Sequence, residues 1–150
     1  MIRRAVPDES ATLTRIALDA KRYWGYPEHW IKHWESDLTI LPEFISHNQV
    51  YVAEQAGEIQ GFYALCIKHT KAELEHMWVA PAHIGTGVGK ELFLHAMENA
   101  TSMSVREVQI SSDPNAAGFY ERMGARKVGE VDSEIDGQPR KLPRMSIDPS

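Results

Sequence analysis

The run Val79-Ala80-Pro81-Ala82-His83-Ile84-Gly85-Thr86-Gly87-Val88-Gly89-Lys90 narrows the folds open to this chain more than any other stretch. Residues Leu74 to Val79 before it read as a strand, and Pro81 ends that strand. Glycines then turn the chain. Beyond them Leu92, Phe93, Ala96, Met97 and Ala100 recur at the spacing of an amphipathic helix starting at about Val88. The first N–H groups of a helix have no partner inside it, and the helix dipole adds partial positive charge there. Glycines remove the Cβ atoms that would keep an anion away. A strand, a glycine turn and a helix in this order suit a phosphate cradle built from main chain, the other reading of the loop alone being a glycine-rich connector without a ligand. Such a cradle needs no basic residues, so a chain of net charge -5 can still hold a polyanion.

Two common phosphate motifs do not fit. A P-loop requires G-x-x-x-x-G-K-[ST], but Ile84 stands at its first glycine and Glu91 follows Lys90. A dinucleotide fingerprint requires G-x-G-x-x-G, and its third glycine falls on Lys90 or Leu92.

The rest of the chain reads as a mixed α/β domain. Residues 2–6 form a short strand, and Pro7, Asp8 and Glu9 open a helix with Leu13, Ile16, Ala17 and Ala20 on one face. Tyr23-Trp24-Gly25-Tyr26-Pro27 breaks it, and a second helix follows with Trp30, Ile31, Trp34 and Leu38 as its apolar stripe. Val50 to Glu54 and Ile59 to Lys68 form a hairpin around Ala56-Gly57. Val105 to Ile110 is a further strand. Asp113 and Pro114 are expected to be N-cap and N1 of a helix that Gly124 caps at its other end. Two last strands flank Asp136-Gly137, and Pro139 and Pro143 interrupt them. The predicted order is β-α-α-β-β-β-α-β-α-β-β.

Length and composition limit the function classes. At 150 residues the chain is one domain, 1–150, able to bury a real core. The acidic balance argues against nucleic acid as a partner. No apolar run approaches a membrane span, so no membrane partner is expected, and residues 1–4 lead into a polar segment rather than a signal peptide's apolar stretch. Cys66 is the only cysteine, which suits a reducing cytoplasm. His29 and His33 lie four apart without a third ligand, so no metal is expected.

The glycine run is not alone. V-x-P, a spacer, G-x-G and an amphipathic helix resemble the acetyl-CoA loop of the GCN5-related N-acetyltransferase (GNAT) family. Asp113-Pro114-Asn115-Ala116-Ala117-Gly118-Phe119-Tyr120-Glu121-Arg122-Met123-Gly124-Ala125 is similar to that family's second motif, N-x-A-x-x-F-Y-E-x-x-G-F/A, in matching order and spacing. The resemblance implies a GNAT-like α/β fold: a mixed, mostly antiparallel central sheet flanked by about four helices. It implies acetyl-CoA as acetyl donor and an amine as acceptor. Met77, Trp78 and Val79 would pair with the pantetheine arm. Ile84, Gly85, Thr86, Gly87, Val88, Gly89 and Lys90 would hold the diphosphate. Asn115, Ala117 and Phe119 would complete the donor site, with Asn115 bonding the pantetheine or positioning its helix. Tyr120 would protonate the departing thiolate. The family often carries Gln or Arg at the position of Ile84, so that side-chain contact is missing here.

The resemblance puts the base, where one exists, on the strand before the loop. Alternation sets Glu73, Glu75, Met77 and Val79 on one side and Leu74, His76 and Trp78 on the other. Glu75 is the expected base, with Glu73 second. A carboxyl raised toward neutrality by partial burial suits the task. His76 has the better unperturbed pKa but points away unless a bulge reverses the facing. Tyr23, Trp24 and Tyr26 at the helix break are candidates for the acceptor pocket, where a small-molecule amine could stack. A peptide or protein amine, and a non-catalytic acyl-CoA sensor, are the alternatives. A homodimer through the terminal hairpin is open.

Overall fold

Residues 61–65 form a run buried on both faces, and the architecture follows from covering it. The computed structural model describes all residues, 1–150. In chain order it contains β1 (Ile2–Arg4), a 3-10 turn (Pro7–Glu9), α1 (Ser10–Tyr23), α2 (Glu28–Leu38), α3 (Pro42–His47), β2 (Gln49–Gln55), β3 (Glu58–Lys68) and β4 (Lys71–Val79). A second 3-10 turn (Pro81–His83) leads to α4 (Val88–Ser102), β5 (Glu107–Ser111), α5 (Ala117–Arg122), β6 (Arg126–Ile135) and β7 (Gln138–Ile147). The strands form one seven-stranded sheet in the order β1-β2-β3-β4-β5-β7-β6. Only β4 and β5 pair in parallel.

Strand alternation divides the core into two layers. Tyr63 and Leu65 pack with Leu92, Phe93, Ala96 and Met97 of α4 on one face. Phe62 and Ala64 pack with Leu13, Ile16 and Ala17 of α1 on the other. Truncating Leu92, fully buried between α4 and the sheet, would cost about 2–5 kcal/mol.

Three expectations need correction. The short helix α3 was not foreseen: with six residues it carries no periodic stripe, and its signals are Pro42 at the first turn and buried Ile45. Asp113 and Pro114 do not start a helix, because α5 begins at Ala117 with Ala116 as its N-cap. The Asp113 carboxylate instead accepts from the Asn115 N–H at 2.8 Å and turns toward α1. Pro139 and Pro143 do not interrupt the terminal hairpin: β7 runs from Gln138 to Ile147 and pairs Pro139 with Glu134 and Pro143 with Glu130. Asp136 at the hairpin tip accepts from the Trp30 indole N–H at 3.3 Å and meets His29 at 3.0 Å, so the tip is tied to α2. Gly124 does cap α5: it has φ +103, and the Gly124 and Ala125 N–H groups close on Glu121 and Tyr120 carbonyls.

Candidate active site

The site opens where two neighbouring strands part. β4 and β5 pair only at Lys71–Glu73 with Glu107–Gln109. Immediately beyond, the register between β3 and β4 shifts: Ala64 faces His76 and Leu65 faces Leu74, leaving Glu75 as the extra residue of a bulge. A bulge bends and twists its strand. From Glu75 to Val79 the edge of β4 facing β5 has no strand partner, and a cavity of about 770 Å³ lies in the gap.

The bulge overturns the alternation expected for β4. Leu74 now shares the α4 face with Met77 and Val79, while Trp78 packs against the α1 face. Of the three acid–base candidates on this strand, only Glu75 borders the cavity. Partial desolvation, then the nearby Glu73 charge, raises its carboxyl above the ordinary range. Glu73 is gripped by the Arg144 guanidinium, with two bonds of 2.6 and 2.7 Å, and lies off the cavity wall. His76 is also off the wall. Its Nδ1 accepts from the Trp78 indole at 3.1 Å, its ring meets Phe44 edge-on, and burial pushes its pKa down to about 4 despite Asp37. It is a neutral packing histidine at pH 7.

One wall of the cavity is main chain. Gly87 caps α4 in the left-handed region, with φ +93, and no side chain caps the helix. The first N–H groups of α4 are thus left to an anion. Gly85, also left-handed at φ +82, and Gly87 face open space: a Cβ at either would meet nothing within 4 Å. Ile84, Gly85, Gly87, Gly89 and Lys90 border the cavity, as do Met77, Trp78 and Val79. Thr86 and Val88 do not. The Thr86 hydroxyl donates to the His83 carbonyl, and Val88 is buried in the core. Arg122, not singled out in the sequence, adds a cation to this wall.

α5 and the turn before it supply the floor. Asn115, Phe119 and Tyr120 reach the cavity, whereas Ala117 packs on the core. Tyr120 is 7% exposed, and burial raises its phenol pKa well above the usual value. No buried side-chain nitrogen or oxygen lacks a hydrogen bond, and the Tyr120 hydroxyl has no partner in the chain. That hydroxyl therefore opens onto the cavity.

The opposite wall is assembled from distant side chains. Lys21 donates to Asp113 at 2.6 Å, with side-chain exposures of 11% and 8%. Burial opposes the Asp113 charge, but Lys21, the Asn115 N–H and the Tyr26 hydroxyl outweigh it and hold the carboxyl below its ordinary value. Burial lowers the Lys21 ammonium, which Asp113 offsets in part. The Tyr26 hydroxyl, pushed up to about 12 mainly by burial, sits 3.1 Å from Asp113 and accepts from Asn115 at 3.0 Å and Arg140 at 3.1 Å. Trp24 and Trp34 border the cavity. Tyr26 stands behind the wall, and Tyr23 is 53% exposed and outside it. Lys21, Trp34, Asp37, Asp113 and Arg140 are wall residues that the sequence reading did not assign to the site. The one prior signal was the lysine on the apolar side of α1, one residue after Ala20.

A strand edge left open beside a glycine-capped helix N-terminus, with the Tyr120 hydroxyl in the same cavity, can hold an extended anionic ligand. The family model for the acetyltransferase (GNAT) domain matches residues 12–138, and the chain belongs to that family. It is 28% identical over 134 residues to the 5-NmdU N-acetyltransferase of Pseudomonas phage PaMx11, covering 87% of this chain and 89% of that one. Among solved structures, a GCN5-related N-acetyltransferase from Rhodopseudomonas palustris superposes with a TM-score of 0.83 at 19% identity, covering 99% of this chain and 94% of that one. The PaiA N-acetyltransferase of Thermoplasma acidophilum, in complex with coenzyme A, gives 0.79 at 21%, covering 99% and 98%. These likenesses carry the fold. No helix is long and apolar enough to cross a membrane.

Proposed function

We propose that the chain, as one domain spanning residues 1–150, moves the acetyl group of acetyl-CoA onto the primary amine of a small molecule, with Glu75 as base and Tyr120 as acid. The observation that carries this reading is the meeting, in one cavity, of a main-chain anion cradle, a carboxyl of raised pKa and a partnerless phenol hydroxyl. Bound acetyl-CoA supplies an acetyl group already activated as a thioester. The turn from Ile84 to Lys90, with Arg122, holds the diphosphate by its N–H groups and nearby cations. The open edge of β4 from Met77 to Val79 receives the pantetheine amides like an added strand. Phe119 walls the arm, Ala117 backs it from the core, and Asn115 fixes the loop through Tyr26 and Asp113.

Glu75 takes the proton of the attacking nitrogen, directly or through a water. Its raised pKa brings it nearer to that of its task than an ordinary carboxylate. Tyr120 gives a proton to the departing sulfur as the carbon–nitrogen bond forms and the carbon–sulfur bond breaks. Burial keeps its hydroxyl protonated at neutral pH, ready to donate. Closure of the hairpin tip onto α2 through Asp136 supports a small acceptor over a threaded polypeptide. Trp24 lines that side, with Tyr26 behind it. The net charge of -5 and the single cysteine support a cytoplasmic enzyme with neither nucleic acid nor membrane as partner.

The test is calorimetric titration with acetyl-CoA, with NADH and ATP as controls, followed by thiol release with primary amines, an amino-terminal peptide and 5-NmdU, the acceptor in the phage relative's name. Selective binding near 1 μM, about 8 kcal/mol, and release of thiol with small amines are expected. Turnover with the peptide alone would replace the small-molecule acceptor. Binding without any turnover would make the chain an acyl-CoA sensor.

A further inference from the structure

The acceptor wall holds one cation that no carboxylate of the chain neutralises. Arg3, Arg22 and Arg144 are each paired with acids. Lys21, the other cation on this wall, is spent on Asp113. Arg140 of β7 has neither arrangement. Its guanidinium lies over the Trp34 ring at 5.1 Å and the Tyr26 ring at 5.4 Å, and its only hydrogen bond is from Nη2 to the Tyr26 hydroxyl at 3.1 Å. A guanidinium carries five N–H donors. Since no buried side-chain nitrogen is left unpaired, the unused donors are accessible to the cavity or to solvent.

The aromatic contacts set this group in place. Trp34 and Tyr26 hold the guanidinium, and Asp136, with φ +55, and Gly137, with φ +73, turn the hairpin so that Arg140 pairs with Ser133 in the ladder. A stacked guanidinium with a free fork matches a planar carboxylate through two parallel bonds. The remaining charges on the wall give the orientation. Glu75 and Asp37 border the same cavity and would repel an anion beside them, but they attract an ammonium. A phosphate dianion would call for a second free cation, and Lys21 is already neutralised.

We infer that the acceptor is an amine that also carries a carboxylate, of the amino acid class. Arg140 takes the carboxylate and the amine lies toward Glu75. The inference rests on reading this cavity as that of an amine acetyltransferase and names the acceptor's chemistry.

The experiment compares free amino acids with their primary amides and their decarboxylated amines in the thiol-release assay, using wild type, Arg140→Gln and Arg140→Lys. The acids are expected to exceed the amides in kcat/KM by about 10- to 100-fold, the range of a charged hydrogen-bonded contact. Arg140→Gln should bring that ratio toward one, mainly through KM for the acids, and Arg140→Lys should restore part of it. Thermal melting and acetyl-CoA titration of each variant separate this from misfolding. Equal use of acids and amides by the wild type, or a ratio that Arg140→Gln does not move, overturns the inference and leaves the acetyltransferase reading standing. Binding of acetyl-CoA with no acetylation of any amine overturns both.

Discussion

The two walls of the cavity are built by opposite strategies. The wall proposed to take the donor is main chain from one short run: an open strand edge, left-handed glycines and the first N–H groups of α4. The wall proposed to face the acceptor is side chains gathered from far apart. Lys21 and Asp113 are separated by 92 residues, and Tyr26 and Arg140 by 114. A main-chain site tolerates exchange of most side chains around it and recognises what all its donors share. A side-chain site gains selectivity and depends on long-range packing.

The largest effect that would break this contrast concerns the acceptor wall. Lys21→Met strands a nearly buried carboxylate and should cost about 3–5 kcal/mol, seen as a melting temperature lower by roughly 10 °C. Adding Asp113→Leu should recover much of the loss. The Asp113 carboxyl is held below its unfolded value. Its contribution is therefore complete above about pH 3.9 and fades as pH falls through the depressed value. A loss under about 1 kcal/mol would mean that this pair does not hold the wall together.

Next in size is Tyr120→Phe, expected to lower turnover by about 100-fold with unchanged acetyl-CoA affinity by calorimetry. Unchanged turnover removes Tyr120 as the acid. Glu75→Gln should cost roughly 30-fold near neutral pH, below the usual range for a general base because the group is partly exposed. The deficit should shrink at high pH, where the amine is already neutral. In the wild type kcat/KM should climb as pH rises and Glu75 loses its proton, with the climb displaced upward by its raised pKa. A Gln variant with the wild-type profile would move the base elsewhere.

The smallest pair sharpens the contrast on the donor side. Gly87→Val forces a β-branched residue into φ +93, worth about 1–2 kcal/mol, and should weaken acetyl-CoA about tenfold. Lys90→Ala, which removes an exposed charge, should change it less than about threefold. If the lysine proves the more costly of the two, the donor wall is a side-chain site after all.

Much of the donor half was legible because its elements are local. The strand end, the glycine turn and the amphipathic stripe of α4 follow one another within about one motif length, and each has its own periodicity or φ requirement. Gly124 was legible as a cap for the same reason. The facing of β4 was not. A single extra residue, Glu75, inverts an alternation rule, and nothing in six residues of mixed polarity signals a bulge. Asp113 was misread as a helix cap because an aspartate before a proline suits that role locally, while Lys21 and Tyr26 compete for it from α1 and the segment after it.

The order of the longer elements, the family and the glycine turn were readable along the chain because they depend on near neighbours, whereas the short α3 was not. Folding decides which β4 acid meets the cavity, that Glu73 belongs to Arg144, and that Arg140 borders the same cavity as Glu75 with no acid paired to it. Charge pairing between groups some hundred residues apart is fixed by how strands and helices pack, and no local pattern encodes that distance.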